Sequence, residues 1–202
     1  MNKIRLSGAV ITNIELSHKF LGENFYKFNM EVNRTSGTSD IIPCIVPQVY
    51  LGEIKEGARI SAIGEIRSRS YRDEDEKPHC QLSVFINEIS EYIGHDDNVV
   101  DLEGYICKEP KYRDTPLGRQ ISDLLIASNR EKSRKSDYIP CIAWGRNAVR
   151  TKTMEVGIKI KAKGRFQSRE YTKLYEDGTE VKINDGNTYI MFKSKDQTLN
   201  IS

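Results

Sequence analysis

Apolar and polar residues alternate along most of this chain, a pattern typical of β-strands with one buried face. In the first half the alternation is clearest from Ile4 to Val10, from Tyr26 to Val32 and from Leu82 to Ile86. In the second half it returns at 100–106, 121–127, 138–144, 158–166 and 189–192. The pattern therefore predicts an all-β protein with about five strands in each half.

The two halves also repeat one set of sequence signals in the same order. Gly57–Tyr71 returns as Gly157–Tyr171, with the same Ala, Gly, Ser-Arg and Tyr frame. Asp40–Ile45 returns as Asp137–Ile142. A period near 100 residues indicates a tandem duplication, because solenoid repeats are about 20–50 residues long.

The duplication predicts two domains, an N-terminal copy over residues 1–92 and a C-terminal copy over 99–202. In each copy one short helix is expected between the third and fourth strands, at 48–55 and 147–155, followed by a glycine. Five strands with a helix in this place is the order of an OB-fold, a five-stranded Greek-key barrel. Glycines at 8, 64, 104 and 164 fall inside strand patterns, where we expect bends that help each barrel to close.

Composition excludes several classes of protein. The chain is 38% hydrophobic and 30% charged, and no apolar run approaches the roughly 18 residues of a membrane helix. The start has no signal-peptide core, so a cytoplasmic location is expected. The four cysteines are far apart and predict neither disulfides nor a zinc site, and the three histidines are interpreted as solvated surface. No catalytic or cofactor motif is present, so we predict a protein that is not an enzyme and holds no cofactor or metal.

Charge is distributed unevenly between the copies. Residues 1–98 carry 11 Lys and Arg against 15 Asp and Glu, for a net charge of −4, whereas residues 99–202 carry 20 against 14, for +6. This asymmetry suggests an anionic partner that contacts mainly the C-terminal copy, although duplicated surfaces can also drift apart in charge.

Two large aromatic side chains occupy strand positions that are predicted to face solvent on the outside of the barrel. On the third strand of the C-terminal copy, Tyr138 and Trp144 alternate with the small apolar residues Ile139, Cys141 and Ala143, which suit a core. The rings therefore point outward. Unpaired bases stack on exposed aromatic rings while Lys and Arg contact the phosphates, so this combination indicates single-stranded nucleic acid. The alternative is that the rings pack in a core or a subunit interface.

Four stretches of the C-terminal copy keep the order and spacing of a known family: Gly104–Gly118, Ala127–Arg130, Asp137–Arg146 and Gly157–Tyr171. They resemble the bacterial single-stranded DNA-binding protein family. The resemblance implies an OB-fold that binds and protects single-stranded DNA in replication, recombination or repair. It also implies that Tyr138, Trp144 and Tyr171 stack on bases.

The resemblance extends more thinly to the N-terminal copy, which keeps Tyr71 but has Ile41 and Pro47 where the other rings stand. We therefore expect weaker binding there, through Tyr71 with Arg67 and Arg69. In the C-terminal copy the expected phosphate contacts are basic residues on the strands, the hairpin and the loops: Arg113, Arg119, Arg130, Lys132, Arg134, Lys135, Arg146, Arg165, Arg169 and Lys173.

The resemblance also has implications for how chains assemble and for whether the protein recruits other proteins. The family commonly brings four OB-folds together, so a homodimer of this two-domain chain is predicted. The family usually ends in an acidic tip, whereas this sequence ends Lys195–Ser202, which argues against recruitment of proteins through such a tail. A competing hypothesis is an OB-fold protein-interaction module that assists replication, as in a primosome. RNA is a third possible partner, because stacking does not distinguish the sugars.

Overall fold

A computed structural model describes residues 1–72, 75–76, 78–131, 133–174, 180–193 and 198–201, with the side chains of 78, 169–174 and 180–187 left out. The N-terminal copy holds strands β1 (Asn2–Val10), β2 (Glu15–Phe20), β3 (Glu23–Asn33), β4 (Ser39–Pro47), β5 (Arg59–Arg72) and β6 (Pro78–Glu91). The C-terminal copy holds β7 (Asp97–Ile106), β8 (Lys111–Asp114), β9 (Gln120–Asn129), β10 (Ser136–Trp144), β11 (Lys159–Leu174), β12 (Glu180–Phe192) and β13 (Leu199–Ile201).

Five strands of each copy pair in a closed ring. In the N-terminal copy β1 pairs with β3 and β5, β3 with β4, β4 with β6 in parallel, and β6 with β5. In the C-terminal copy β7, β9, β10, β12 and β11 close in the same way. The predicted fold of two tandem OB-fold barrels is therefore confirmed, and the alternating apolar residues of these strands fill the barrel interiors.

Three short strands that the sequence did not predict lie outside the rings. Among the described residues, β2 pairs with β3 alone and has six exposed residues, and β8 pairs with β9 alone. β13 pairs with β11. β2 and β8 are largely exposed and therefore lack the alternation of apolar and polar residues that would reveal them, and β13, which adds Leu199 to the core, is too short to show a period.

The helices occupy the predicted places but are shorter than expected. In the C-terminal copy the helix α1 spans Arg146–Arg150 and a 3-10 turn at Thr151–Thr153 continues it. In the N-terminal copy only a 3-10 helix forms, at Gln48–Glu53. Gly57 and Gly157 have φ of 81° and 92° and lie in the turns that follow, several residues past the helix ends.

The four strand glycines lie where neighbouring strands approach most closely. A Cβ added at Gly8, Gly64, Gly104 or Gly164 would meet the carbonyl oxygen of an adjacent strand at 2.3 or 2.4 Å. Opposite Gly64, a register shift leaves Asn87 as an extra residue and marks a bulge in β6. These positions exclude any side chain because the backbones touch as the barrels curve, which agrees with the predicted bends.

The two barrels join through their first strands. β1 and β7 pair antiparallel, with Asn2 opposite Leu102 and Leu6 opposite Asn98. Residues 2 and 6 correspond to residues 98 and 102 in the repeat, so the pairing relates the copies by an approximate two-fold axis. The result is a single continuous sheet that runs through both barrels.

Candidate nucleic-acid interface

Strand β10 presents alternate faces to the core and to solvent. Ile139, Cys141 and Ala143 are buried, whereas Tyr138 is 48% exposed and Trp144 is half-buried. β10 pairs with β9 over its full length, which keeps both rings on the outer wall of the same barrel. The geometry thus places these two predicted stacking residues on one open strand face.

Trp144 stands at the end of β10, directly before a sharp turn. Ile121, which is buried outside the barrel core, lies opposite it on β9. The indole Nε1 is buried and has no hydrogen-bond partner among the described residues, so that edge of the ring points inward. Gly145 follows with a φ of 56°, a conformation that favours glycine, and leads into α1, where Arg146 is exposed.

Several of the predicted phosphate-binding residues are exposed around this face. Arg119 lies in the turn between β8 and β9, and Arg134 and Lys135 lie in the loop between β9 and β10. Arg113 pairs with Asp123, and both side chains are exposed. Lys132 and the side chains of Arg169, Tyr171 and Lys173 lie outside the described residues.

A buried carboxylate, Asp137, binds groups from both copies. It accepts hydrogen bonds from Arg130 Nε and Nη2 at 2.8 and 2.7 Å within its own copy. From the N-terminal copy it accepts from Arg67 Nη1 at 3.2 Å and from the Ser68 N–H at 2.8 Å. The Asp137 side chain is fully buried, so it is a structural junction between the barrels.

The N-terminal copy contains the counterpart of this junction. Asp40 is fully buried, pairs with Arg34 of its own copy, and accepts from Arg165 Nη2 at 3.1 Å and the Ser168 N–H at 3.3 Å of the other copy. We name the groups around Asp137 and Asp40 the two carboxylate junctions. They were missed in the sequence because each brings together residues of the two copies that lie 69 or more positions apart.

The junctions give three of the predicted phosphate ligands a partner within the chain. Arg67, Arg130 and Arg165 are 22–27% exposed, and each binds a buried aspartate. Hydrogen bonding to Asp137 raises the pKa of Arg130, so this arginine stays charged. Their role as DNA ligands stays a prediction, and a phosphate would have to compete there with a carboxylate already in place.

Acid should weaken the Asp137 junction. Burial alone would raise the pKa of Asp137, but hydrogen bonds from Arg130, Ser68 and Arg67 and the charge of Arg130 lower it below its ordinary value. A carboxylate with a lowered folded pKa stabilises the native state above its unfolded pKa of about 4. We expect the free energy of unfolding, measured with urea, to fall as pH drops below about 4. An equal fall in a D137N variant would contradict this assignment.

A further aromatic pair lies on the long hairpin of the N-terminal copy. Tyr71 on β5 is 45% exposed and stacks on His79 of β6, with ring centroids 5.3 Å apart and planes 19° apart. Arg69 is exposed on the same strand. His18 likewise stacks on Phe25, at 4.9 Å and 9°. His18 is exposed, as the sequence interpretation expected, and His79 is partly exposed, but each also stacks on an aromatic ring.

The N-terminal copy arranges its rings differently from the C-terminal copy. Pro47 lies opposite Phe25, where the C-terminal copy has Trp144 opposite Ile121. Phe25 is only 7% exposed, because His18 and Phe85 cover it. In the N-terminal copy the aromatic ring of this residue pair is therefore Phe25 on β3, and its covered ring cannot offer an open face to a base.

Other kinds of site find little support in the part of the chain that the structure describes. Cys44 and Cys141 are buried, and burial raises the pKa of both thiols, which makes them unreactive. No three His, Cys, Asp or Glu residues among those described are grouped so as to hold a metal ion. Within the same ranges, every helix is too short or too polar to cross a membrane.

Comparison with known proteins finds a family similarity in the second half of the chain. Residues 97–186 match the model of the single-strand binding protein family. This part of the chain is therefore similar to the single-strand binding protein family. The match runs from β7 into the first half of β12, in the barrel that presents Tyr138 and Trp144.

Curated relatives named as single-stranded DNA-binding proteins match a similar share of the chain. The single-stranded DNA-binding protein 1 of Staphylococcus aureus is 31% identical over 94 residues, which cover 44% of this chain and 55% of that protein. The single-stranded DNA-binding protein 3 of Clostridium acetobutylicum is 33% identical, over 44% and 64%. The chain therefore spans a little over half the length of these relatives.

Solved structures match over both barrels. The wild-type single-stranded DNA-binding protein from Thermus aquaticus superposes with a TM-score of 0.73 at 16% identity, covering 100% of this chain and 93% of the other. A deletion mutant of that protein superposes with a TM-score of 0.70 at 18% identity, covering 100% and 94%. The similarity shows that the two-barrel fold is shared.

Proposed function

We propose that this chain binds and protects single-stranded DNA, without catalysing a reaction, in replication, recombination or repair. The observation that carries the proposal is the open β10 face, with Tyr138 48% exposed and Trp144 half-buried. Bases stack on such rings with a gain of about 1–3 kcal/mol each, whatever their identity. The names of the curated relatives support single-stranded DNA as the ligand.

The phosphates would be contacted by basic residues whose side chains are not held by a buried partner. Arg119, Arg134, Lys135 and Arg146 meet this condition around the β10 face. Arg113 remains available as well, because its pair with Asp123 is exposed and such pairs contribute little. Lys132, Arg169, Lys173 and the ring of Tyr171 stay candidates from the sequence.

The N-terminal copy would extend the bound strand rather than repeat the site. Its hairpin carries Tyr71, His79 and Arg69, and the same hairpin contacts β10 through Ser68 and Cys80. DNA stacked on Tyr138 would therefore lead toward Tyr71. A second candidate function for this copy is protein binding in replication, because its outer β4 face has Ile41 and Pro47 in place of rings and its net charge is negative.

The assembly is proposed from the fold together with the family resemblance. We propose that residues 1–92 and 99–202 are the two domains and that two chains form a homodimer with four OB-folds, in the cytoplasm. Light scattering at several protein concentrations would report the mass in solution.

Titration of the full chain with oligo-dT tests the binding function, because Trp144 is the sole tryptophan. Stacking should quench its emission and protect it from acrylamide. Affinity should fall with salt, with a log-log slope of about −0.7 per phosphate contact, or about −3 for four contacts. Saturating DNA that leaves the emission and acrylamide access unchanged would refute stacking on Trp144. Competition with oligo-U separates DNA from RNA preference.

A further inference from the structure

Strand β10 has one side open at Tyr138. On its other side β9 pairs with it, with Tyr138 opposite Ala127. On the open side β12 pairs only with residues 141–143 in the described part of the chain. The N–H and C=O of Tyr138 that face this side consequently need partners from elsewhere.

The N-terminal copy supplies both partners. The Tyr138 N–H donates to Ser68 Oγ at 2.8 Å, and the Cys80 thiol donates to the Tyr138 carbonyl oxygen at 3.4 Å. Burial and the charge of Asp137 raise the pKa of Cys80, which keeps the thiol protonated and able to donate. Two side chains of one barrel thus stand in for a neighbouring strand of the other.

These contacts fix the direction of the ring. In a β-strand the side chain leaves the backbone roughly perpendicular to the sheet, so holding the N–H and C=O of a residue orients its Cα–Cβ bond. Tyr138 is half exposed and so has few packing contacts to hold its ring. We propose that Ser68 is a positioning residue for base stacking on Tyr138, so that the N-terminal copy prepares the binding face of the C-terminal copy.

The equivalent contact is also present between a serine of the C-terminal copy and the backbone of the N-terminal copy. Ile41, the equivalent of Tyr138, donates its N–H to Ser168 Oγ at 3.0 Å. Because the residue positioned there is Ile41 and not a ring, this contact has no stacking role. Ser168 is therefore the matched control for Ser68.

The inference rests on the proposed function, and a double-mutant cycle tests it in the full-length chain. The variants are Ser68→Ala, Ser168→Ala, Tyr138→Ala and the double variants that combine Tyr138→Ala with each serine change. Dissociation constants for fluorescein-labelled oligo-dT are measured by anisotropy, and folding is checked by circular dichroism. S68A keeps the backbone N–H that binds Asp137, so the carboxylate junction remains.

We expect S68A to weaken binding about fivefold, the effect of one hydrogen bond. In the Tyr138→Ala background S68A should have no further effect, because the ring it positions is gone. S168A should show no such coupling to Tyr138. The Ser68→Thr variant retains the hydroxyl and should recover binding.

Three other outcomes would contradict either the role of Ser68 or the stacking function itself. If S68A weakens binding equally with and without the Tyr138 ring, Ser68 has only a structural role and the inference is wrong. An S68A affinity equal to that of the unmodified chain also overturns it. If Tyr138→Ala itself leaves the affinity unchanged, the stacking function fails instead. Should S68A not fold, the cycle is run with Ser68→Cys, whose sulfur is a weak acceptor.

Discussion

Replacing Asp137 by asparagine should lower the free energy of unfolding by about 3–5 kcal/mol. Asp137 is fully buried, and the change leaves the mostly buried Arg130 without the carboxylate that it binds, while Arg67 keeps only its pair with Glu65. An uncompensated charge away from water is costly, because the lost attraction is not replaced by hydration. Urea unfolding followed by circular dichroism measures the change as a shift in midpoint.

Asp123→Asn is the matched control for this substitution. It also removes one carboxylate from an arginine pair, but Arg113 and Asp123 are 51% and 41% exposed, so the cost should not exceed about 1 kcal/mol. Equal midpoints for D137N and D123N would show that the junction contributes no more than a surface pair. D40N should resemble D137N, because Asp40 is also fully buried and binds one arginine of each copy, Arg34 and Arg165.

Removing both rings of the β10 face, in a Tyr138→Ala and Trp144→Ala double variant, should reduce binding of single-stranded DNA severely. If each ring holds one base, the loss is about 2–6 kcal/mol. Every 1.4 kcal/mol is about a tenfold change in the dissociation constant. Anisotropy titration with labelled oligo-dT measures it, and thermal unfolding checks that the half-exposed positions leave the fold intact.

The equivalent positions of the N-terminal copy provide the control for the rings. Ile41→Ala together with Pro47→Ala removes apolar surface from the corresponding strand face, where no ring is available to stack. We expect this variant to bind DNA nearly as well as the unmodified chain. Affinities that fall by the same factor in both double variants would rule out a special role for the β10 rings.

The sequence predicted the barrel strands because each has one face in a core. In β10 the alternation of Tyr138 and Trp144 with small apolar residues correctly indicated which side chains face outward. β2 and β8 were missed for the complementary reason, since neither walls a barrel and their residues are largely exposed. The alternation of apolar and polar residues reflects packing against a core, so it does not reveal strands that only extend a sheet.

The partners of the arginines could not be predicted in this way. Arg67 and Asp137 are 70 positions apart, and their contact depends on how the two barrels dock. The repeated segments that begin at Asp40 and Asp137 were visible in the sequence and indicated duplication. Only the structure shows that each aspartate forms the centre of a carboxylate junction. The stacking of His79 on Tyr71 likewise follows from the hairpin register alone.

The pairing of β1 with β7 has a consequence for symmetry. Two identical chains that met through this edge would be related by a true two-fold axis, and every substitution would appear on both sides. Here one polypeptide supplies both partners, so the sides can differ. Glu65 and Arg67 on β5 correspond to Arg165 and Gln167 on β11, and Tyr138 corresponds to Ile41. Because both copies are in one chain, the N-terminal and C-terminal barrels can take different roles, which two identical chains in a symmetric dimer could not.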